Sequence, residues 1–168
     1  RADPAVHGIV RQLIDATRVV VLNSPLEGLP CTFICANMAQ TSELVVRHLC
    51  AQGHRRITFL GGSPENQSTS GRIQGYREEM ERQGLKDCIQ IVPSGYAPEA
   101  AAIALAGRLA VARGEERPTA LICVNDLVAL GAMHTLFQKE IRVPEDMAVA
   151  GCDNQFFAKF LNPPLTTV

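Results

Sequence analysis

The run Thr119 to Val124 (TALICV) reads as a β-strand with no alternation of polar and apolar residues. Such a strand is buried on both faces, which is the condition of strands in a parallel sheet covered by helices on either side. Other short runs fit the same plan. Arg18 to Leu22 (RVVVL) is a β-branched strand ended by Asn23-Ser24-Pro25, and Ile57 to Leu60 (ITFL) is a strand closed by Gly61-Gly62-Ser63-Pro64. Cys88 to Val92 and Met147 to Ala150 complete five predicted strands.

Helical periods fill the intervals. Asn37 stands at a helix cap with Gln40 three residues on, the spacing of a capping box. Leu44, Val45, Leu49 and Cys50 then form an apolar stripe that Gly53 stops. A second helix is predicted over about Thr69 to Gln83. A third begins near Pro98, which suits a first helical turn, and runs to about Arg113. The last spans Leu127 to Lys139, with helical spacing at Leu127, Leu130, Met133, His134 and Phe137. Strands alternating with helices in this way specify βαβ units, an α/β fold with a mostly parallel sheet flanked by helices. A further amphipathic helix, His7 to Ala16, opens the chain.

Composition narrows the function. Sixteen Lys and Arg against seventeen Asp and Glu give a net charge of −1. Nucleic-acid-binding surfaces carry a basic excess, so this stretch is not expected to grip DNA itself. No apolar run approaches the roughly 20 residues that span a bilayer, and Arg1 to Ala16 lacks the pattern of a signal peptide. The six cysteines form no C-x-x-C pair, and Cys31 and Cys35 have no histidine at zinc-finger spacing. Cys123 and Cys152 lie in apolar runs. The set is read as reduced, buried thiols of a cytoplasmic protein, with no metal site and no cofactor.

In open α/β sheets, ligands bind beyond the carboxyl ends of the strands. Those ends carry Asn23; Gly61-Gly62 with the polar loop Glu65 to Ser70; Ser94 and Tyr96; Asn125-Asp126; and Asp153-Asn154. Arg72 lies in the helix that opens after the second predicted strand. Together they supply a carboxylate acceptor, a forked donor, amides and an aromatic face, the groups that recognise a sugar's hydroxyls and its apolar C–H face. Each has a plainer reading: Asn125 and Asp153 as helix caps, Arg72 as a surface charge, Tyr96 as a loop aromatic. Gly61-Gly62 is half a phosphate loop, but neither G-x-G-x-x-G nor G-x-x-x-x-G-K is present. No G-x-S-x-G or H-E-x-x-H motif occurs, and the four histidines fall away from the strand ends. A nucleotide-dependent enzyme is therefore disfavoured, and no catalytic residues are assigned.

Six motifs in order resemble the LacI/GalR family of bacterial transcriptional regulators. They are Gly53-His54-Arg55-Arg56-Ile57 leading into Phe59-Leu60-Gly61-Gly62; Arg72-x-x-Gly75-Tyr76-Arg77; and Asn125-Asp126-x-x-Ala129-Leu130-Gly131-Ala132. Arg142-Val143-Pro144-Glu145-Asp146, Gly151-x-Asp153 and Pro163-Pro164-Leu165-Thr166-Thr167-Val168 follow. The resemblance implies a periplasmic-binding-protein-like core of two lobes, the first incomplete here. Residues 1–54 would belong to the amino-terminal lobe and 55–168 to most of the carboxy-terminal lobe, with the DNA-binding headpiece outside this chain.

The same resemblance implies a sugar-like effector held by Asn23, Asn66, Ser68, Arg72, Tyr96, Asn125 and Asp153. It also implies a homodimer, and operator DNA bound through the headpiece; no membrane contact is expected. Leu130, His134, Phe157 and Leu161 are the expected dimer contacts, within an apolar set that also includes Phe156 and Phe160. The chain departs from the family pattern at Cys152-Asp153-Asn154, at Ala36 before Asn37, and at Asn23, positions where the family more often carries aromatic or acidic residues. A secreted sugar-binding protein of the same fold is the alternative reading.

Overall fold

The computed structural model describes residues 4–23, 26 and 28–168. The predicted turn at Ser24-Pro25 and the first three residues lie outside those described. Helix α1 (Pro4–Ala16) leads to β1 (Val20–Leu22), β2 (Thr32–Ile34) and α2 (Met38–Ala51). Then follow β3 (Ile57–Leu60), α3 (Gln67–Arg82), β4 (Gln90–Val92), α4 (Pro98–Val111), β5 (Ala120–Cys123), α5 (Asp126–Gln138), β6 (Ala148–Gly151) and β7 (Thr166–Thr167). All five predicted strands and four predicted helices form, with ends shifted by a few residues. Strands β2 and β7 are not predicted from the sequence pattern. The first has only three residues, and the second is a polar pair, Thr166-Thr167, with no hydrophobic pattern to mark it.

Strands β1 and β2 make a small parallel pair, with Val21 opposite Phe33. The other five form one sheet, in the order β4-β3-β5-β6-β7, with every neighbouring pair parallel. All four residues of β5 are buried, as its unbroken apolar run requires, and so are all four of β3, where the Thr58 hydroxyl donates to Gln90 Oε1 at 3.1 Å. The chain leaves β3 toward β4 on one side and leaves β5 toward β6 on the other. The crevice at the carboxyl ends of β3 and β5 is therefore the point where the winding reverses, the place where this architecture receives ligands.

Each helix uses its sequence signal. The Asn37 side chain accepts from the Gln40 N–H at 3.1 Å, and Pro98 occupies the first turn of α4. Tyr76 of α3 is fully buried; its hydroxyl donates to the Ile57 carbonyl at 2.7 Å and accepts from the Gln90 N–H at 3.0 Å, so one phenol ties β3 to β4. Burial pushes that phenol up to about 12. Of the predicted stripe, Val45, Leu49 and Cys50 of α2 pack with Val46 into the same core as the large sheet, whereas Leu44 is exposed. Helix α2, which the expected 1–54 division grouped with the first lobe, thus spends its apolar stripe on the sheet of the second. Helix α1 buries no residue, and Val6, Ile9 and Leu13 on its apolar face are exposed.

All six cysteines are unpaired. Cys50, Cys123 and Cys152 are buried, Cys31 and Cys88 half-buried, and Cys35 is exposed, contrary to the reading of uniformly buried thiols. Cys35 directly follows the last residue of β2.

A buried carboxylate joins α2 to α3. Glu79 accepts from Arg47 Nε and Nη2, both at 3.3 Å, from Gln83 Nε2 at 2.9 Å, and from Arg82 Nη1. Burial pushes its carboxyl up, but these donors outweigh that and hold it below the usual carboxylate range. A depressed folded-state pKa contributes stability above the unfolded value of about 4.3 and loses it as pH falls through the folded one. The stability difference between wild type and Glu79→Gln is therefore expected to hold steady from about pH 7 to 5 and to shrink below about 4.3. Urea unfolding across that range checks it; a difference that grows on acidification contradicts it.

Helix α4 crosses α5 at Gly131, where an added Cβ would stand 2.0 Å from the Pro98 carbonyl oxygen. Gly131→Ala must push the two helices apart. It is expected to cost about 1–3 kcal/mol, the usual range for overpacking, read as a lowered urea midpoint at unchanged slope.

Candidate functional site

The loop after β3 ends at Asn66, whose side chain caps α3 by accepting from the Ser68 and Thr69 N–H groups at 3.0 and 3.2 Å. This fixes the first turns of α3, and the i, i+4 spacing then sets Ser68 beside Arg72. Arg72 Nη1 donates to Ser68 Oγ at 2.9 Å. Its Nη2 reaches across to the end of β6, 3.4 Å from Asp153 Oδ1 and 3.4 Å from Cys152 Sγ. The Arg72 side chain is only 12% exposed, and its Nε is buried with no hydrogen-bond partner. Buried donors are nearly always paired, so the unpaired Nε sets Arg72 apart from the other buried polar groups among the described residues.

Arg72 lines a cavity of about 480 Å³ together with Asn23, Met38, Thr41, Ser68, Cys152 and Asp153. A second cavity of about 470 Å³ adjoins it, sharing Asn23, Ala36, Met38 and Ser68 and adding Cys35, Asn37, Asn66 and Gln67. Burial pushes the Cys152 thiol up, with Arg72 opposing, so Cys152 presents a neutral sulfur to the guanidinium. Two wall residues hold left-handed backbone: Asn23 at φ 70° and Asp153 at φ 102°. Asn and Asp tolerate that region better than other side chains, and strain of this kind gathers at ligand sites.

What holds Asp153 there is Asp126. This fully buried carboxylate accepts from the Gln155 N–H at 2.6 Å and from Thr167 Oγ1 at 2.7 Å, while the Asp126 N–H donates to the Cys152 carbonyl at 2.9 Å. Gly151 makes this possible, because a Cβ there would lie 2.3 Å from Asp126 Oδ1.

The structure brings together Asn23, Ser68, Arg72 and Asp153 of the seven expected effector residues on the first cavity, and Asn66 joins Asn23 and Ser68 on the second. Asn66 spends its side-chain oxygen on the cap, which leaves its amide NH₂ for other partners. Tyr96 and Asn125 line neither cavity. The Tyr96 hydroxyl meets Thr69 Oγ1 at 2.8 Å, and Asn125 caps α5 by accepting from the Val128 N–H at 2.8 Å. The plainer reading as a cap therefore describes Asn125. It does not describe Asp153, which no helix follows directly.

Met38, Thr41 and Cys152 are wall residues that the strand-end rule did not select. Met38 and Thr41 belong to the first turn of α2, and the signal was the Asn37 cap that aims this turn. Among the dimer candidates, Leu161 packs against the core, Leu130 and Phe157 are half-buried, and His134 is exposed. Of the wider apolar set, Phe156 at 80% exposure and Phe160 at 74% face solvent, as does Phe137 on α5. Among the described residues, no three His, Cys, Asp or Glu side chains are grouped to hold a metal ion, and no helix is long and apolar enough to cross a membrane.

Residues 46–168 match the periplasmic binding protein-like domain family. The HTH-type transcriptional repressor PurR of Vibrio atlanticus (strain LGP32) is 37% identical over 136 residues, covering 80% of this chain and 40% of that protein. The chain thus spans about 40% of the length of this curated relative. Among solved structures, a sugar-binding transcriptional regulator of the LacI family from Escherichia coli, complexed with phosphate, superposes with a TM-score of 0.81 at 27% identity, covering 96% of this chain and 58% of that one. A LacI transcriptional regulator from a Rhodococcus species gives 0.84 at 26%, covering 99% and 60%. With the six sequence motifs, the parallel sheet and the crevice at its winding reversal in agreement, the chain belongs to the LacI/GalR family and has the fold of its ligand-binding domain.

Proposed function

We propose that this chain is the sensing part of a bacterial transcriptional regulator and binds a sugar or sugar derivative between its two sheets. The observation that carries the reading is the half-buried Arg72 guanidinium on the cavity wall, its Nε unpaired and its Nη2 3.4 Å from the half-exposed Asp153 carboxylate. A hydroxyl set beside this pair accepts from the arginine and donates to the aspartate, which is how a polyol is told from an apolar ring. The similar Escherichia coli regulator described as sugar-binding supports this class. A purine-related effector is the second reading, favoured by the similarity to repressors named PurR. The same donor and acceptor pair would meet a ring carbonyl and a ring N–H.

Asn23 approaches the cavity from the end of β1, Arg72 and Asp153 from the large sheet. An effector touching both sides favours whichever relative placement of the two sheets lets it do so, and it shifts the population by its difference in affinity for the two placements. In a homodimer, that shift would alter the spacing of paired DNA-binding headpieces on an operator, in the cytoplasm. The expected 1–54 and 55–168 lobes are the moving parts, with α2 travelling with the second. The dimer face is placed on the exposed Phe156 and Phe160, beside the expected contacts Leu130, His134 and Phe157.

Thermal unfolding with monosaccharides, sugar phosphates, purine bases and nucleosides tests the effector. A ligand at one hundred times its Kd adds about 2.7 kcal/mol of stability. One class is expected to raise Tm, and Arg72→Ala and Asp153→Ala to remove that rise while the far-UV spectrum is unchanged. Loss of a charged hydrogen bond weakens binding by about 1.5–3 kcal/mol, so a variant that binds as wild type does overturns the assignment. For the dimer, Phe156→Asp with Phe160→Asp is expected to give a monomer in sedimentation equilibrium where the wild type associates.

A further inference from the structure

Resting on the reading of this crevice as the effector site, we infer that Thr167 is a positioning residue for it. The Thr167 hydroxyl clamps the turn that carries Asp153 to strand β7, so the placement of β7 and the strength of effector binding are set together. The turn after β6 has two successive non-glycine residues in the left-handed region, Asp153 at φ 102° and Asn154 at φ 47°. Side chains rarely adopt that conformation, and it persists only where the surroundings over-determine it.

Three consecutive backbone N–H groups tie the turn down. The Asp153 N–H donates to the Val168 carbonyl at 2.9 Å, the Asn154 N–H to Thr167 Oγ1 at 3.2 Å, and the Gln155 N–H to Asp126 Oδ2 at 2.6 Å. Thr167 Oγ1 in turn donates to Asp126 Oδ1 at 2.7 Å. One hydroxyl thus accepts from the turn and donates to a fully buried carboxylate, which a methyl group in its place could not do. None of these bonds uses the Asp153 side chain. Its carboxylate stands 3.4 Å from Arg72 Nη2, on the wall of a cavity that Val168 also lines.

Strand β7 has little else to hold it. It is the edge of the large sheet, two residues long, and it pairs with β6 through Ala150 opposite Thr166 and Gly151 opposite Thr167. Thr166 is exposed and Thr167 half-buried, so burial adds little to so short a ladder. The bonds from Thr167 and Val168 to the turn therefore carry much of the attachment. A shift of β7 draws Asn154 and Asp153 with it and changes the reach of the carboxylate to Arg72. Linkage makes the effect mutual: an effector that holds Asp153 beside Arg72 holds β7 in return.

Hydrogen exchange and calorimetry on the full-length protein test this with two variants. Thr167→Val keeps the shape and removes the hydroxyl; Thr167→Ser keeps the hydroxyl. Without a probe bound, Thr167→Val is expected to speed amide exchange in residues 151–157 about tenfold relative to the β5 segment, with Thr167→Ser close to wild type. Ribose, galactose, hypoxanthine and guanosine are the binding probes. For a probe that wild type binds, Thr167→Val is expected to raise Kd about tenfold, the size of one charge-assisted hydrogen bond, and Thr167→Ser to restore it. Gly131→Ala, which lowers stability away from the crevice, is expected to leave Kd unchanged. In wild type the bound probe slows exchange in 165–168 as well as in 151–157, a readout that serves even where Thr167→Val does not fold. Unchanged exchange in Thr167→Val, a probe that protects the turn and not β7, or an equal loss of affinity in Gly131→Ala overturns the clamp. If Thr167→Val binds as wild type does while Asp153→Ala does not bind, the crevice stands and the positioning role falls. If no probe binds wild type, or Asp153→Ala binds as wild type does, the reading of the crevice falls and takes the positioning role with it.

Discussion

The buried carboxylate of Asp126 is the point on which the site's geometry rests. It sits at the start of α5, directly after β5, yet both of its acceptor contacts lie beyond β6: the Gln155 N–H and the Thr167 hydroxyl. One side chain therefore ties the turn after β5 to the loop after β6 and to the edge strand β7. Charged acceptors make the stronger hydrogen bonds, and in a dry interior there is no water to replace a lost donor. The segment from Gly151 to Gln155 cannot relax without breaking one of these bonds. Asp153 accordingly keeps its left-handed backbone, donates its N–H to the Val168 carbonyl at 2.9 Å, and presents its carboxylate to Arg72.

The other half of the site is built by a different device. Arg72 takes its place from α3, whose register follows from the Asn66 cap at one end and from Tyr76 at the middle, where the phenol locks the helix to β3 and β4. Glu79, one turn further, fastens the same helix to α2 through Arg47. The sheet order matters because α3 follows β3 and α5 follows β5, the adjacent strands where the winding reverses. Arginine and aspartate reach one another because the topology opens a crevice between the two connections.

How much of this was legible in the sequence depends on the kind of signal. An unbroken apolar run marks β5, caps and stripes mark the helices, and the strand-end rule selects Arg72, Asp153, Ser68 and Asn23. Strand β2, three residues with only Phe33 half-covered, carries too little pattern to show. Asn125 and Asp153 look alike as polar residues after strands. They differ only in what the next residues do: a helix begins at Asp126 and takes the Asn125 side chain as its cap, whereas the chain after Asp153 turns away. The role of Asp126 was invisible for a related reason, since its partners lie 29 and 41 residues away. Phe156 and Phe160 face solvent while Leu161 packs inward, a distinction that a short irregular segment without a helical or strand period does not encode.

A difference in satisfaction separates the core from the crevice. Tyr76, Glu79 and Asp126 are buried polar groups, and each has its hydrogen bonds made. Arg72 is half-buried, its buried Nε lacks a partner, and its contact with Asp153 is a long 3.4 Å. Asn23 and Asp153 add strained backbone to the same place. An unpaired buried donor lowers stability whether or not anything is bound, so its persistence needs the surrounding structure to over-determine it. The bonds of Asp126 and Glu79 do that. On the proposed function, a ligand pairing with the Arg72 guanidinium would recover part of that cost, and one that also bonded Asn23 would do so only with the small and large sheets suitably placed. Binding energy and relative placement of the two sheets then become one quantity, which is the physical requirement for a sensor.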